Sequence, residues 1–212
     1  MLRKETVSAG TLGVLEDLMR DENLKDFFLV GGTALSLQIG HRISIDLDMF
    51  SQNPFDDNIL LEYLESKFAF ESNFHNKNTL KGKIDNTEVD FITHAYPLVD
   101  KLQIIEGIRI ASMKDIVAMK FNAIEGNATR LKDFIDVAYI SSYLSWNDMV
   151  KSYMTKYPSR NPFSILKAIA YHNDINFNEP IHLINGNFKW KVIEKRLADM
   201  TKFPDKVFEK IP

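Results

Sequence analysis

The sequence predicts an α+β fold, a β-sheet packed with helices and followed by a helical C-terminal part, on three observations. Residues 27–50 hold two hydrophobic runs on either side of a double glycine. Residues 68–93 hold three further strand candidates, with a turn signal between the last two. From residue 112 onward the apolar residues recur at helical spacing. The division expected is a core with a central sheet over 1–111 and a helical part over 112–212.

Taken in order, Ser8 to Arg20 reads as an opening helix with Leu12, Leu15, Leu18 and Met19 on its apolar face. Phe27 to Val30 is a short buried strand that stops at Gly31-Gly32, where small residues permit a tight turn and the close approach of a ligand. Thr33 to Ile39 suits two helical turns. Ile43 to Met49 alternates, with Ile43, Ile45, Leu47 and Met49 facing one way and Ser44, Asp46 and Asp48 the other. Two carboxylates on one strand face, beside a glycine turn that opens a helix, suit Mg²⁺ and phosphate together, the chemistry of a nucleoside triphosphate site. An Asp-x-Asp alternation taken alone also marks a strand with one wet face.

Asp56 to Lys67 has helical spacing, and strands are expected over Phe68 to Phe74, Thr79 to Ile84 and Glu88 to Thr93, the last two joined by a hairpin turn at Asp85-Asn86-Thr87. Asp90 is flanked by core-facing residues on a strand expected beside that of Asp46 and Asp48, and Glu88 is its rival two residues away. Lys81 and Lys83 share a strand face, where they protect an edge or, alternatively, face a phosphate.

Composition bounds the reading. No apolar run approaches the ~20 residues of a membrane span, and the N-terminus lacks the apolar core of a signal peptide, so a cytoplasmic protein without a membrane partner is expected. The absence of cysteine excludes disulfides and thiolate metal sites. Residues 1–150 carry 15 Lys/Arg against 23 Asp/Glu, whereas residues 151–212 carry 11 against 6. A basic C-terminal part beside an acidic one suits a nucleic-acid backbone. The alternative is a solvated helix face, since Lys189, Lys191, Lys195 and Arg196 surround ordinary helix-period residues.

The stretch made of Gly31, Gly32, Thr33, Ala34, Leu35, His41, Arg42, Ser44, Asp46, Asp48 and Phe50 resembles the signature of the AbiEii/AbiGii toxin family, within the DNA polymerase β-like nucleotidyltransferase superfamily. The resemblance covers roughly residues 27–140 and implies a mixed-sheet nucleotidyltransferase core. It implies a third carboxylate at Asp90, two Mg²⁺ ions held by Asp46, Asp48 and Asp90, and phosphates cradled by Gly31, Gly32 and Thr33. Arg42 contacts a phosphate or pairs with Asp48, and Ser44 orients a carboxylate or phosphate. It further implies a toxin of a bacterial toxin–antitoxin or phage-defence system, transferring a nucleotide from a nucleoside triphosphate to an acceptor, with tRNA favoured by the basic C-terminal part and a cognate antitoxin as partner. Protein nucleotidylation and a non-catalytic nucleotide-binding module are the alternatives.

Ser112 to Glu125 opens with a capping box, Ser112 with Asp115. Lys120 falls inside its apolar stripe, where a lysine is costly to bury unless it is paired, faces a ligand or snorkels to water. A functional lysine there predicts that Lys120→Met reduces transfer with little loss of stability. Leu131 to Leu144 repeats the anomaly, with Asp133 on the buried face, as a first-turn cap or as a site residue, and Asp136 beside it. Lys120 followed by Arg130, Lys132, Asp133 and Asp136 resembles the family's later motifs, which makes Lys120 and Asp133 active-site residues and Lys132 and Asp136 second choices. Ser145 to Tyr157, Pro162 to Tyr171 and Lys189 to Met200 read as helices, and His172 and His182 as surface residues.

Overall fold

Alternating burial fixes the first half of the chain as a sheet. The computed structural model describes residues 1–211, and its strands are β1 (Phe28–Val30), β2 (Leu47–Ser51), β3 (Glu71–Asn76), β4 (Thr79–Ile84), β5 (Thr87–Thr93), β6 (Gln103–Ile105) and β7 (Ile108–Ile110). They form one mixed sheet in the order β3-β4-β5-β2-β1-β7-β6, parallel at β5/β2 and β1/β7 and antiparallel elsewhere. Leu47, Met49, Leu80, Val89 and Phe91 are fully buried, and the residues between them are not. The chain is α+β, as its patterning predicts.

Two compact units divide the chain, one of residues 1–97 with 101–111 and one of residues 98–100 with 112 onward. The first holds the sheet with α1 (Ala9–Arg20), α2 (Gly31–Ile39) and α3 (Asp57–Phe68). Ser8 caps α1 by accepting the Thr11 N–H, and Asp56 caps α3 by accepting from Asn58 and Ile59. Arg109 on β7 ties the segment between α1 and β1 together, donating to the carbonyls of Met19 (2.7 Å), Leu24 (3.1 Å) and Phe27 (2.8 Å).

The second unit is helical, with α4 (Met113–Gly126), α5 (Leu131–Ile140), α6 (Trp146–Lys156), α7 (Pro162–Ile169) and α8 (Trp190–Lys202). Helix α4 packs against α5, α6 and α7, and α5 against α8. Ser112 caps α4 by accepting the Asp115 N–H, as expected, and Ser145 caps α6 by accepting the Asp148 N–H. Asp115 then does more than cap. Its carboxylate accepts the N–H groups of Val99 and Asp100 and pairs with the buried Lys156 at 2.9 Å. Among the described residues no helix is long and apolar enough to cross a membrane.

Three expectations need correction, and one hairpin is additional to them. The strand read over Ile43 to Met49 starts only at Leu47, and Ile45 is 58% exposed. The backbone ahead of it is claimed elsewhere, the Ser44 N–H by the Thr6 carbonyl and the Asp46 carbonyl by the Thr33 hydroxyl. The strand read from Phe68 begins at Glu71, because α3 runs to Phe68 and is closed by Ala69 in the left-handed region. Hairpin β6/β7 goes unread although Glu106-Gly107, both at positive φ, is a two-residue turn between β-branched residues. His172 is no surface residue, since its ring packs edge-on against Phe134 and Trp190 and its Nε2 lies 2.9 Å from the Ile169 carbonyl.

Replacing Arg109 by methionine strips three carbonyls of a charged donor. We expect Arg109→Met to lose about 3 kcal/mol of unfolding free energy, read as a lower urea midpoint at unchanged slope.

Candidate active site

The registers of β1, β2, β4 and β5 bring four residues into one row. Lys81 pairs across from Asp90, Asp90 from Asp48, and Asp48 from Val30, the residue just before the glycine turn. Because Leu47, Met49, Val89 and Phe91 take the buried face, the period of two puts Asp48 and Asp90 on the open one. Carboxylates facing each other across neighbouring strands repel. Here they lean apart. Asp90 makes an ion pair with Lys81 on one side, whereas Asp48 Oδ2 lies against the turn on the other, where a Cβ at Gly31 would stand 1.9 Å from it.

Gly31 also has φ +71°, so the turn excludes a side chain both by conformation and by the carboxylate seated on it. A Cβ at Gly32 would meet Arg42 Nη2 at 2.4 Å and Ser44 Oγ at 3.3 Å. Arg42 is therefore packed onto the turn, 3% exposed, and its Nη1 donates to the Ile43 carbonyl at 3.0 Å. Thr33 is buried and bonded to both Ser44 Oγ (2.9 Å) and the Asp46 carbonyl. Its hydroxyl points toward both acceptors and is thereby spent on holding the start of α2 to the segment of residues 44–46.

Asp46 lies ahead of β2 and is exposed. Glu88, the rival to Asp90, pairs with Lys83 at 3.0 Å. Among the described residues no three or more histidine, aspartate or glutamate side chains gather closely enough to hold a metal ion. Magnesium does not need such a cage, being bound through one or two carboxylates completed by phosphate oxygens and water. Asp48 and Asp90, side by side on an open face, fit that mode.

The later candidates cluster within the helical unit. Lys120, 7% exposed, pairs with Asp133 at 2.6 Å and with Asp136 at 2.8 Å, and the second oxygen of Asp133 is buried without a hydrogen-bond partner. Lys132 pairs with Glu179 at 3.1 Å. Asp133 thus meets the lysine as an ion partner, not as a helix cap. Arg196, read among the basic surface residues, instead donates to Ser141, Ser142 and the Glu209 carbonyl, with burial holding its pKa below the usual arginine value.

Lys81 is the residue that reading the pattern left undecided. Its partner was within reach: counting outward from the two-residue turn Asp85-Asn86 places position 81 opposite 90.

Comparison with known proteins gives four relevant findings. A family model described as the nucleotidyl transferase AbiEii toxin of type IV toxin–antitoxin systems matches residues 13–104. An uncharacterized protein of Aquifex aeolicus (strain VF5) is 32% identical over 155 residues, covering 70% of this chain and 75% of that protein. Among solved structures, a provisionally assigned nucleotidyltransferase of H. pylori is similar with a TM-score of 0.56 at 17% identity, over 93% of this chain and 96% of the other. MenT4, a nucleotidyltransferase toxin of Mycobacterium tuberculosis H37Rv, gives 0.53 at 16% identity over 82% and 75%. At those identities the two structures speak for the fold.

Two substitutions test this geometry. Gly31→Ala should cost about 2 kcal/mol or more, from the strained φ and the clash with Asp48, and adding Asp48→Gly should recover the part due to the clash in paired urea melts. Lys120→Met leaves two carboxylates buried without their cation. We expect a loss of about 3–5 kcal/mol in the same assay, which reverses the expectation of a small effect.

Proposed function

The chain belongs to the AbiEii family of nucleotidyltransferase toxins, and from that premise we propose that it transfers a nucleotide from a nucleoside triphosphate to an acceptor hydroxyl, with tRNA as the acceptor and Mg²⁺ as cofactor. The observation that carries the reading is the in-register pair Asp48 and Asp90, set beside a glycine turn that opens a helix. In the reaction the acceptor oxygen bonds to the α-phosphorus, the bond from that phosphorus to the bridging oxygen breaks, and pyrophosphate leaves while the hydroxyl gives up its proton. Asp48 and Asp90 would hold Mg²⁺, with Asp46 the further candidate ligand. The ion, when bound, would offset charge on the triphosphate and activate the attacking oxygen. The missing side chains at Gly31 and Gly32 let Asp48 and Arg42 close in on the start of α2, where the helix dipole favours an anion such as a phosphate. Arg42, buried against the turn, fixes the loop that carries Ser44 and Asp46.

Support for an RNA acceptor comes from the basic C-terminal stretch, where Lys189, Lys191, Lys202, Lys206 and Lys210 are exposed. A phosphate backbone is the natural partner of such a lysine set. The family also supports a toxin–antitoxin setting with a neutralising partner. No step is assigned to Lys120, Asp133 and Asp136, which pair with one another inside the helical unit.

The test is transfer of label from each α-labelled nucleoside triphosphate, with Mg²⁺, to total tRNA or to cell protein. Wild type should label tRNA, and Asp48→Asn and Asp90→Asn should each lower the rate about 100-fold while melting near wild type. Label on polypeptide would replace the acceptor. Nucleotide binding with no Asp48-dependent transfer would replace the enzyme by a binding module.

A further inference from the structure

We propose that Lys81 is a built-in counter-ion for Asp90 that a divalent cation must displace, so that metal and nucleotide bind this protein together and neither binds well alone. The proposal rests on the reading of Asp48 and Asp90 as the metal-holding carboxylates.

Four observations carry it. First, Asp48 and Asp90 are in register on adjacent strands, an arrangement that is unfavourable unless a cation intervenes. Secondly, Lys81 offsets the Asp90 charge from the flank away from Asp48, since its Nζ pairs with Asp90 Oδ2 from the opposing position on β4. Thirdly, the pair is loosely held, the lysine side chain being 41% exposed and the aspartate 24%, and exposed pairs of this kind are weak enough to exchange. Fourthly, strand protection does not explain the lysine, because β4 is an interior strand covered by β3.

Two residues along, Lys83 and Glu88 repeat the cross-strand pair, and both are about half exposed. Their pair forms a natural control: the same chemistry on the same strands, away from the Asp48 register.

Lys81 is thus a positioning residue. In the nucleotide-free protein its ammonium occupies the carboxylate that the ion needs. A triphosphate offers that ammonium another anion on the same open face, reached by its flexible four-carbon stem, and so lowers the cost of giving Asp90 up. Coupling of this type is reciprocal, so metal tightens nucleotide binding by the factor that nucleotide tightens metal.

The experiment titrates full-length protein with Mn²⁺, followed by electron paramagnetic resonance, with and without a non-hydrolysable nucleoside triphosphate. Lys81→Met should bind Mn²⁺ about three- to five-fold more tightly than wild type when nucleotide is absent, and the gain on adding nucleotide should shrink by a similar factor. Lys81→Arg should restore wild-type behaviour, and Lys83→Met should match wild type throughout. Lys81→Gln is read beside Lys81→Met, so that a folding defect in either does not decide the result. Unchanged or weaker Mn²⁺ binding in the Lys81 variants, with wild-type binding still lost in Asp90→Asn, overturns the counter-ion role alone. Absence of Mn²⁺ binding to wild type even with nucleotide overturns the metal reading of the carboxylates, and the role of Lys81 with it.

Discussion

Everything at the candidate site follows from one constraint, the parallel pairing of β2 with β5 in the register that sets Asp48 beside Asp90. The register is enforced from the other face. Leu47, Met49, Val89 and Phe91 are all fully buried, and a slip of one residue would turn them out and bring the carboxylates in. Burial of four apolar side chains far outweighs repulsion between two half-exposed acids. The sheet therefore imposes a locally unfavourable charge pair, and the surroundings accommodate it: a lysine from β4 on one flank, a glycine turn on the other.

That balance explains why the two ends of the row differ in rigidity. The Asp48 end is tight, because the carboxylate sits where a Cβ at Gly31 would be, and Arg42 fills the space beside Gly32. The Asp90 end is loose, held by an ion pair between partly exposed groups. A fixed carboxylate and an exchangeable one are different tools. The first sets where a ligand must sit, and the second can change partner when the ligand arrives.

The sequence made the ingredients of this site legible but not their accommodation. The glycine pair, the Asp-x-Asp alternation and Asp90 are local signals, each read from a few consecutive residues. The β2/β5 pairing spans about forty residues and a helix with a hairpin between, so only periodicity could indicate the shared face. Alternation that continues backward through Ile43 and Ile45 gives Asp46 the pattern of a strand residue, while the actual backbone bonds go to Thr6 and Thr33. Nothing in the residues from 43 to 46 encodes those partners. Lys81 stays open between edge protection and a phosphate contact because the exposed strand β3 outside it has too little apolar pattern to fix its place.

In the helical unit the anomaly was visible but its resolution was not. Helical spacing shows that Lys120 and Asp133 fall on buried faces, and an isolated charge there is costly enough to suggest chemistry. The same cost is met when buried charges find each other, and α4 and α5 pack so that Lys120 lies between Asp133 and Asp136. A buried lysine with two carboxylate partners is first a requirement of folding, because removing it leaves both carboxylates buried without their cation. Loss of activity in a Lys120 variant therefore says little about chemistry until stability has been measured on the same sample. Asp48 and Asp90 are only partly buried on an open sheet face, so loss of activity there is less entangled with stability, and that difference makes the strand pair the more informative place to begin.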